Sequence, residues 1–177
     1  MPERKCIASK VVYRSSIAGD FPAIAQLETL SDVPDGSGLS EALIALPADT
    51  LSFVAELDGH IIGHTVLTAV AGPDRALALA PLVILPAYRD MQIGTGLVRH
   101  ALNQARAQGW QSVFVYGQPD YYCRFGFKSQ LADGADSPLQ GQRFLALELS
   151  KDALFGWSGA VAYPEPYLKR MKSKARN

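Results

Sequence analysis

Between Pro86 and Trp110 the chain reads PAYRDMQIGTGLVRHALNQARAQGW. Gly94 and Gly96 flank Thr95, Arg89 lies ahead of them, and Ile93, Leu97, Val98, Ala101, Leu102 and Ala105 repeat at helical spacing up to Gly109, a natural stop. A helix opens with about four amides that have no carbonyl one turn back, and with roughly half a positive charge. An anion is therefore stabilised there without a charged side chain. Glycines remove Cβ atoms from the approach, Arg89 adds a cation and Thr95 a hydroxyl, so the guest that fits is a phosphate or pyrophosphate. The same two glycines also suit close packing of a helix on a strand, and on those residues alone both readings stand.

Two common phosphate motifs are excluded. Arg99 occupies the third position of a G-x-G-x-x-G dinucleotide fingerprint, and no Gly-Lys-Ser/Thr follows as a P-loop requires. The wider string PLVILPAYRDMQIGTGL is buried strand, Pro, aromatic, Arg, four residues, Gly, x, Gly. It resembles the coenzyme A signature of the GNAT superfamily of N-acetyltransferases, R/Q-x-x-G-x-G/A. YGQPDYYCRFGF, a strand ending at Gly that closes on Arg-Phe-Gly-Phe, resembles a second signature, that of the YhbS-like acetyltransferases. The two together cover about Pro81 to Lys128.

The resemblance implies an α/β (mixed α+β) acyl-CoA N-acyltransferase fold. Its central, mostly antiparallel sheet of six or seven strands is splayed between strands four and five, with helices on both faces. It implies acetyl-CoA as cosubstrate and a primary amine of a small molecule or protein as acceptor, attacked directly. Val83, Ile84 and Leu85 would then offer backbone groups to the pantetheine arm and the acetyl carbonyl, in a gap where Pro81 cannot complete the sheet ladder. Arg89, Asp90, Met91, Gln92, Ile93, Gly94, Thr95 and Gly96 would wrap the pyrophosphate, mostly through backbone N–H groups. Gln92 stands where the family usually has its first glycine. Tyr122 falls on the family tyrosine that reaches the coenzyme sulfur and protonates the departing thiolate, and Tyr121 is the second choice. A coenzyme A binding or sensing module without chemistry is the alternative.

Acetyl transfer to an amine needs a neutral nucleophile, a donor to the thioester carbonyl and an acid for the thiolate. No general base can be named from the sequence. Glu28 and Glu56 are candidates, each read first as a solvated carboxylate, and a water chain is an alternative. Cys123, without a matched His and Asn, reads as a small packed residue. His60, His64 and His100 lie at no metal spacing and read as structural or surface residues, so no metal is expected.

The elements that must position these groups follow from local pattern. A strand over VVYRSSIAGD ends near Gly19; a helix over FPAIAQLETL starts at an Asp20 N-cap and buries Ile24, Leu27 and Leu30; a second short helix is stopped by Pro47. Asp58-Gly59 turns a hairpin, the Pro81 strand runs apolar, and strands over WQSVFVYG and RFLALELS bracket a short helix or turn at DYYCRFGF. The 177 residues are read as one N-acetyltransferase domain, 1–177, with a core of about 11–150 and a C-terminal extension at 151–177. Seventeen basic and seventeen acidic residues cancel, which leaves no overall field for nucleic acid or anionic lipid. The basic tail LKRMKSKARN is read as a frayed, solvated end. Trp157, Tyr163 and Tyr167 line an acceptor groove or close the core. No signal core or membrane span is seen, so a cytoplasmic setting is expected, with no membrane or nucleic-acid partner and with pairing to a second copy left open.

Overall fold

A computed structural model describes residues 2–31, 38–46 and 49–176. In chain order the strands are β1 (Val12–Ser15), β2 (Thr50–Leu57), β3 (His60–Val70), β4 (Ala76–Ile84), β5 (Ser112–Tyr116), β6 (Ala135–Asp136), β7 (Phe144–Glu148) and β8 (Gly159–Ala160). The helices are α1 (Pro2–Lys10), α2 (Phe21–Leu30), α3 (Leu39–Ile44), α4 (Ile93–Ala107), α5 (Pro119–Tyr122) and α6 (Glu165–Arg176). Among the described residues, six strands are hydrogen-bonded in the order β1-β2-β3-β4-β5-β7, and β6 pairs with β8 in a separate parallel ribbon. Contacts sort the chain into two compact units, Met1–Val66 with Pro81–Ala101 and Leu67–Ala80 with Leu102–Asn177.

In the first unit β1 runs antiparallel to β2, from Val12↔Glu56 to Ser15↔Phe53. β2 returns into β3 through Asp58 at φ 49° and Gly59 at φ 79°, the two left-handed residues that a tight hairpin requires. The first strand stops at Ser15, short of the expected Gly19, and a 3-10 turn at Ala18–Asp20 leads into α2. Asp20 does not cap α2 with its side chain. Its carboxylate takes Arg14 Nη1 at 2.7 Å, Arg14 Nη2 at 2.9 Å and the Ile17 amide at 2.8 Å. A bidentate cation outcompetes a helix amide for the same oxygens. Ile24 and Leu27 are buried as expected, but Leu30 is 54% exposed. Pro47, the expected stop of α3, lies outside the described residues.

In the second unit β4 pairs in parallel with β5 over Ala76–Leu79, and β5 runs antiparallel to β7 from Ser112↔Glu148 to Tyr116↔Phe144. Phe114 and Phe144 stack with ring centres 5.5 Å apart. Helix α4 ends at Gly109, φ 82°, and Arg75 donates to Gly109 O at 2.7 Å and Gln108 O at 2.8 Å, placing a cation on the negative end of the helix dipole. The basic tail is not frayed: it forms α6, which buries Tyr167 and Met171, one helical turn apart. Tyr167 stacks on Tyr163 at 5.1 Å, and the Tyr163 hydroxyl bonds Ser137 Oγ at 2.9 Å, so Tyr167 belongs to the core of this unit. Truncating it in Tyr167→Ala should lower the unfolding free energy by about 3–5 kcal/mol, read from urea denaturation.

Candidate functional site

β4 leaves the sheet through a loop whose first turn is tied down by hydrogen bonds. The Leu85 amide donates to Ile62 O at 2.9 Å, and the Leu85 carbonyl accepts the Tyr88 amide at 2.9 Å in the 3-10 turn Pro86–Tyr88. Leu85 is thus held by β3 and by its own turn, which narrows what it can offer a ligand. Val83 is buried, and the Ile84 carbonyl accepts Arg89 Nε at 3.3 Å. Arg89 Nη2 reaches Ser31 O at 3.1 Å, so its guanidinium ties the end of α2 to the loop. That is a positioning role beyond the phosphate cation the sequence suggests.

Asp90 and Gln92 both adopt left-handed backbone, φ 61° and 64°. For residues with a Cβ this conformation costs on the order of 1–3 kcal/mol, and such strain gathers at ligand clamps. Gln92 stands at the resemblance's usual glycine and keeps the positive φ with its side chain exposed. Ile93, 1% exposed, then anchors the start of α4, and the first i−4 bond of the helix runs from the Gly96 amide to Gln92 O at 3.0 Å. The Ile93 and Gly94 amides precede that bond at the helix's positive end.

At Gly96 a Cβ would overlap the Tyr13 hydroxyl and ring, so the missing side chain admits β1's tyrosine, the close packing of helix on strand that the sequence also allowed. Tyr13 also stacks on His100 of α4, at 6.3 Å. Thr95 is buried beside it.

In the second unit α5 carries Tyr121 and Tyr122 at right angles, ring centres 5.0 Å apart. Tyr122 packs edge-on against Phe127 at 5.6 Å, and a Cβ on Gly117 would overlap its ring. Burial pushes the Tyr122 phenol up, and the Tyr121 phenol adds to the rise, so Tyr122 keeps its proton through the ordinary pH range. Arg124 lies over the Tyr121 ring at 4.5 Å. Cys123 is exposed rather than packed, its Sγ 3.4 Å from Asp120 O.

A family model described as Acetyltransferase (GNAT) family matches residues 21–127. The chain belongs to the GNAT acetyltransferase family. Among solved GNAT structures it is similar to the N-acetyltransferase YhbS from Escherichia coli in complex with CoA (TM-score 0.82, 28% identity, 90% of this chain and 92% of that one). It is also similar to a GNAT family acetyltransferase from Brucella melitensis in complex with acetyl-CoA (TM-score 0.74, 29% identity, 89% and 97%). The N-acetyltransferase YjhQ of Escherichia coli (strain K12) is 36% identical over 102 residues, and the chain spans about half of its length, 55%, as the match spans 55% of this chain. Among the described residues of this GNAT chain no helix is long and apolar enough to cross a membrane, and no three His, Cys, Asp or Glu gather as a metal would need.

One packing feature escaped the sequence: Tyr13 in the Gly96 notch joins positions far apart in the chain, which no local pattern encodes. Glu28 is the larger correction. It is 2% exposed, not solvated, and accepts from the Gly38 amide at 3.1 Å, the Ser40 amide at 3.3 Å and the Ser40 hydroxyl. Glu56 is half-exposed in an ion pair with Arg14 at 2.7 Å. His60 is exposed in the hairpin turn, whereas His64 is fully buried between two serines.

Two outcomes are expected. Gly96→Ala should lose about 1–3 kcal/mol of stability in the parent and close to nothing in a Tyr13→Ala background, as a double-mutant cycle of unfolding free energies would read. Burial lowers the His64 imidazole to about 4, with Asp20 partly opposing, against 6.5 for an exposed ring. The unfolded chain therefore binds this proton first, so the contribution of neutral His64 is complete above pH 6.5 and lost as the pH falls toward 4. Chemical denaturation across that window should show the parent losing about 3 kcal/mol more than His64→Gln.

Proposed function

We propose that the chain transfers an acetyl group from acetyl-CoA to a primary amine of a small molecule or protein by direct attack on the thioester. The observation that carries this reading is the loop from Arg89 to Gly96, where two left-handed residues lead into the positive end of α4. Membership of the GNAT family and likeness to chains solved with CoA and acetyl-CoA support it.

In this reading the amides between Asp90 and Gly94 hold the diphosphate, Arg89 braces the loop from α2, and Thr95 and Gly96 set the helix start. Val83 and Ile84 supply backbone groups to the pantetheine arm and the acetyl carbonyl, with Leu85 fixing the strand end. Tyr122, with Tyr121 as second choice, serves the departing sulfur. A phenol whose pKa is raised stays a donor, so it first stabilises the thiolate by a hydrogen bond as the C–S bond breaks. Full proton transfer from so weak an acid runs uphill and follows only as the amine's own proton is released.

Isothermal calorimetry should show coenzyme A binding to the parent and none to Gly94→Leu, with the far-ultraviolet circular dichroism of the two alike. Release of free thiol from acetyl-CoA should then appear with at least one member of a panel of polyamines, amino acids and peptide N-termini. Tyr122→Phe should lower kcat roughly 100-fold with coenzyme affinity kept. Unchanged binding in Gly94→Leu would remove the diphosphate site, and binding without turnover across the panel would favour a sensing module.

A further inference from the structure

One corner of the second unit joins the tyrosine turn to an arginine that no described residue neutralises. β5 ends at Tyr116 opposite Phe144 of β7, and the pairing carries on for one more step, where the Gly117 amide donates to the Arg143 carbonyl at 2.9 Å. The Tyr122 ring packs against this same glycine, since a Cβ there would overlap it. Gly117 therefore touches both Arg143 and Tyr122, the group given the departing sulfur in the reading above.

The Arg143 guanidinium lies over the Tyr116 ring, 5.2 Å from its centre. Tyr116 shares a face of the sheet with Phe114, two residues back on β5, and with Phe144 opposite, so the ring that carries the cation belongs to a packed aromatic row. An aromatic face meets the flat side of a guanidinium and leaves the N–H groups, which lie in its plane, for an anion. Nε of Arg143 is buried without a hydrogen-bond partner, and among the described residues no carboxylate pairs with the side chain. Arg143 as a whole is half-buried, so a ligand can reach the rest of the fork. The neighbouring cation, Arg124, instead uses its Nε on the Tyr121 carbonyl at 2.8 Å.

Packing accounts for the stem of Arg143, which a Lys or Met would supply equally well. It does not account for a charged donor taken out of water with no acceptor, which carries its full desolvation penalty in the ligand-free protein. A carboxylate offsets that penalty through two parallel N–H···O bonds to the planar fork. The coenzyme's diphosphate is assigned above to the loop before α4, which leaves the acceptor as the source of the anion.

We propose that Arg143 anchors a carboxylate carried by the acceptor, so that the amine acetylated by this chain belongs to an amino acid or to another molecule with an acid group a few bonds from its nitrogen. The inference rests on the acetyl-transfer reading and names its acceptor class. Holding the carboxylate fixes one end of the acceptor and lowers the orientational cost of bringing its nitrogen to the thioester.

The test sets acids against amides. Among glycine, β-alanine and their longer homologues, each compared with its primary amide at equal free amine, at least one acid should exceed its amide about ten-fold or more in kcat/KM. The same comparison in peptides, Glu against Gln next to the N-terminus, tells a free amino acid from an acidic chain, and a preference in either series supports the anchor. Arg143→Gln should erase the preference by raising the KM of the acid, with kcat and the KM for acetyl-CoA kept. Arg143→Lys should retain part of it, having the charge without the fork, and reads the same loss if Arg143→Gln does not fold. Equal use of acid and amide by the parent overturns the anchor, as does a preference that survives in Arg143→Gln. Weakened coenzyme A binding in that variant also overturns it, since the anion would then be a coenzyme phosphate. If coenzyme A binds and no amine is turned over, the transfer reading falls, and calorimetry of the acids into the coenzyme-loaded protein still decides the anchor. Binding to the parent that is lost in Arg143→Gln supports it; binding kept in the variant, or absent from the parent, overturns it.

Discussion

The main chain between β4 and α4 is held in a conformation that its residues do not favour. Asp90 and Gln92 both carry a Cβ at positive φ, and left alone such a turn would relax to right-handed or extended backbone. It persists because its two ends are fixed. Upstream, β3 claims the Leu85 amide and Arg89 bridges from the loop to Ser31 at the end of α2. Downstream, Ile93 is buried and α4 is drawn onto β1 by Tyr13 sitting in the space that Gly96 leaves. Local strain at two residues is thus over-determined by contacts from three elements, the usual circumstance in which strain survives at a binding site.

Charge usage in the chain follows from the same arrangement. Several arginines are committed to structure: Arg14 to Asp20 and Glu56, Arg75 to the end of α4, Arg106 to the Leu149 carbonyl and Arg89 to the loop's own brace. In the proposed reading, anion recognition at the diphosphate falls to oriented peptide dipoles at the start of α4. These need no counter-charge, and a rigid backbone positions them more closely than a flexible side chain would.

Much of the fold could be read from the sequence wherever the determinant was local. The Asp58-Gly59 turn, the apolar face of α4, its Gly109 stop and the apolar strands β5 and β7 each depend on residues within one or two turns of each other. Helix α6 was legible too, since Tyr167 and Met171 stand at helical spacing, but the density of Lys and Arg around them masked the stripe. The Glu28 environment was not legible. Its partners are Gly38 and Ser40, 10 and 12 residues further on, and, through Ser40, His64 on a strand, and a single glutamate near a helix end carries no sign of such company. Asp20 misled for a related reason: its residue type suits a helix cap, and only the folded chain brings Arg14 to it.

Burial acts on the proton-handling groups of both units in one direction, toward neutrality. It lowers His64 and raises Tyr122, so each keeps the uncharged form over the range in which amines exchange their protons. A neutral imidazole between two hydroxyls keeps both ring nitrogens partnered without a charge, and a neutral phenol can offer a hydrogen bond without losing its own proton. In dry surroundings either charged form would have to be desolvated, at several kcal/mol. The buried Glu28 carboxyl meets the same constraint through its partners, two backbone amides and a hydroxyl.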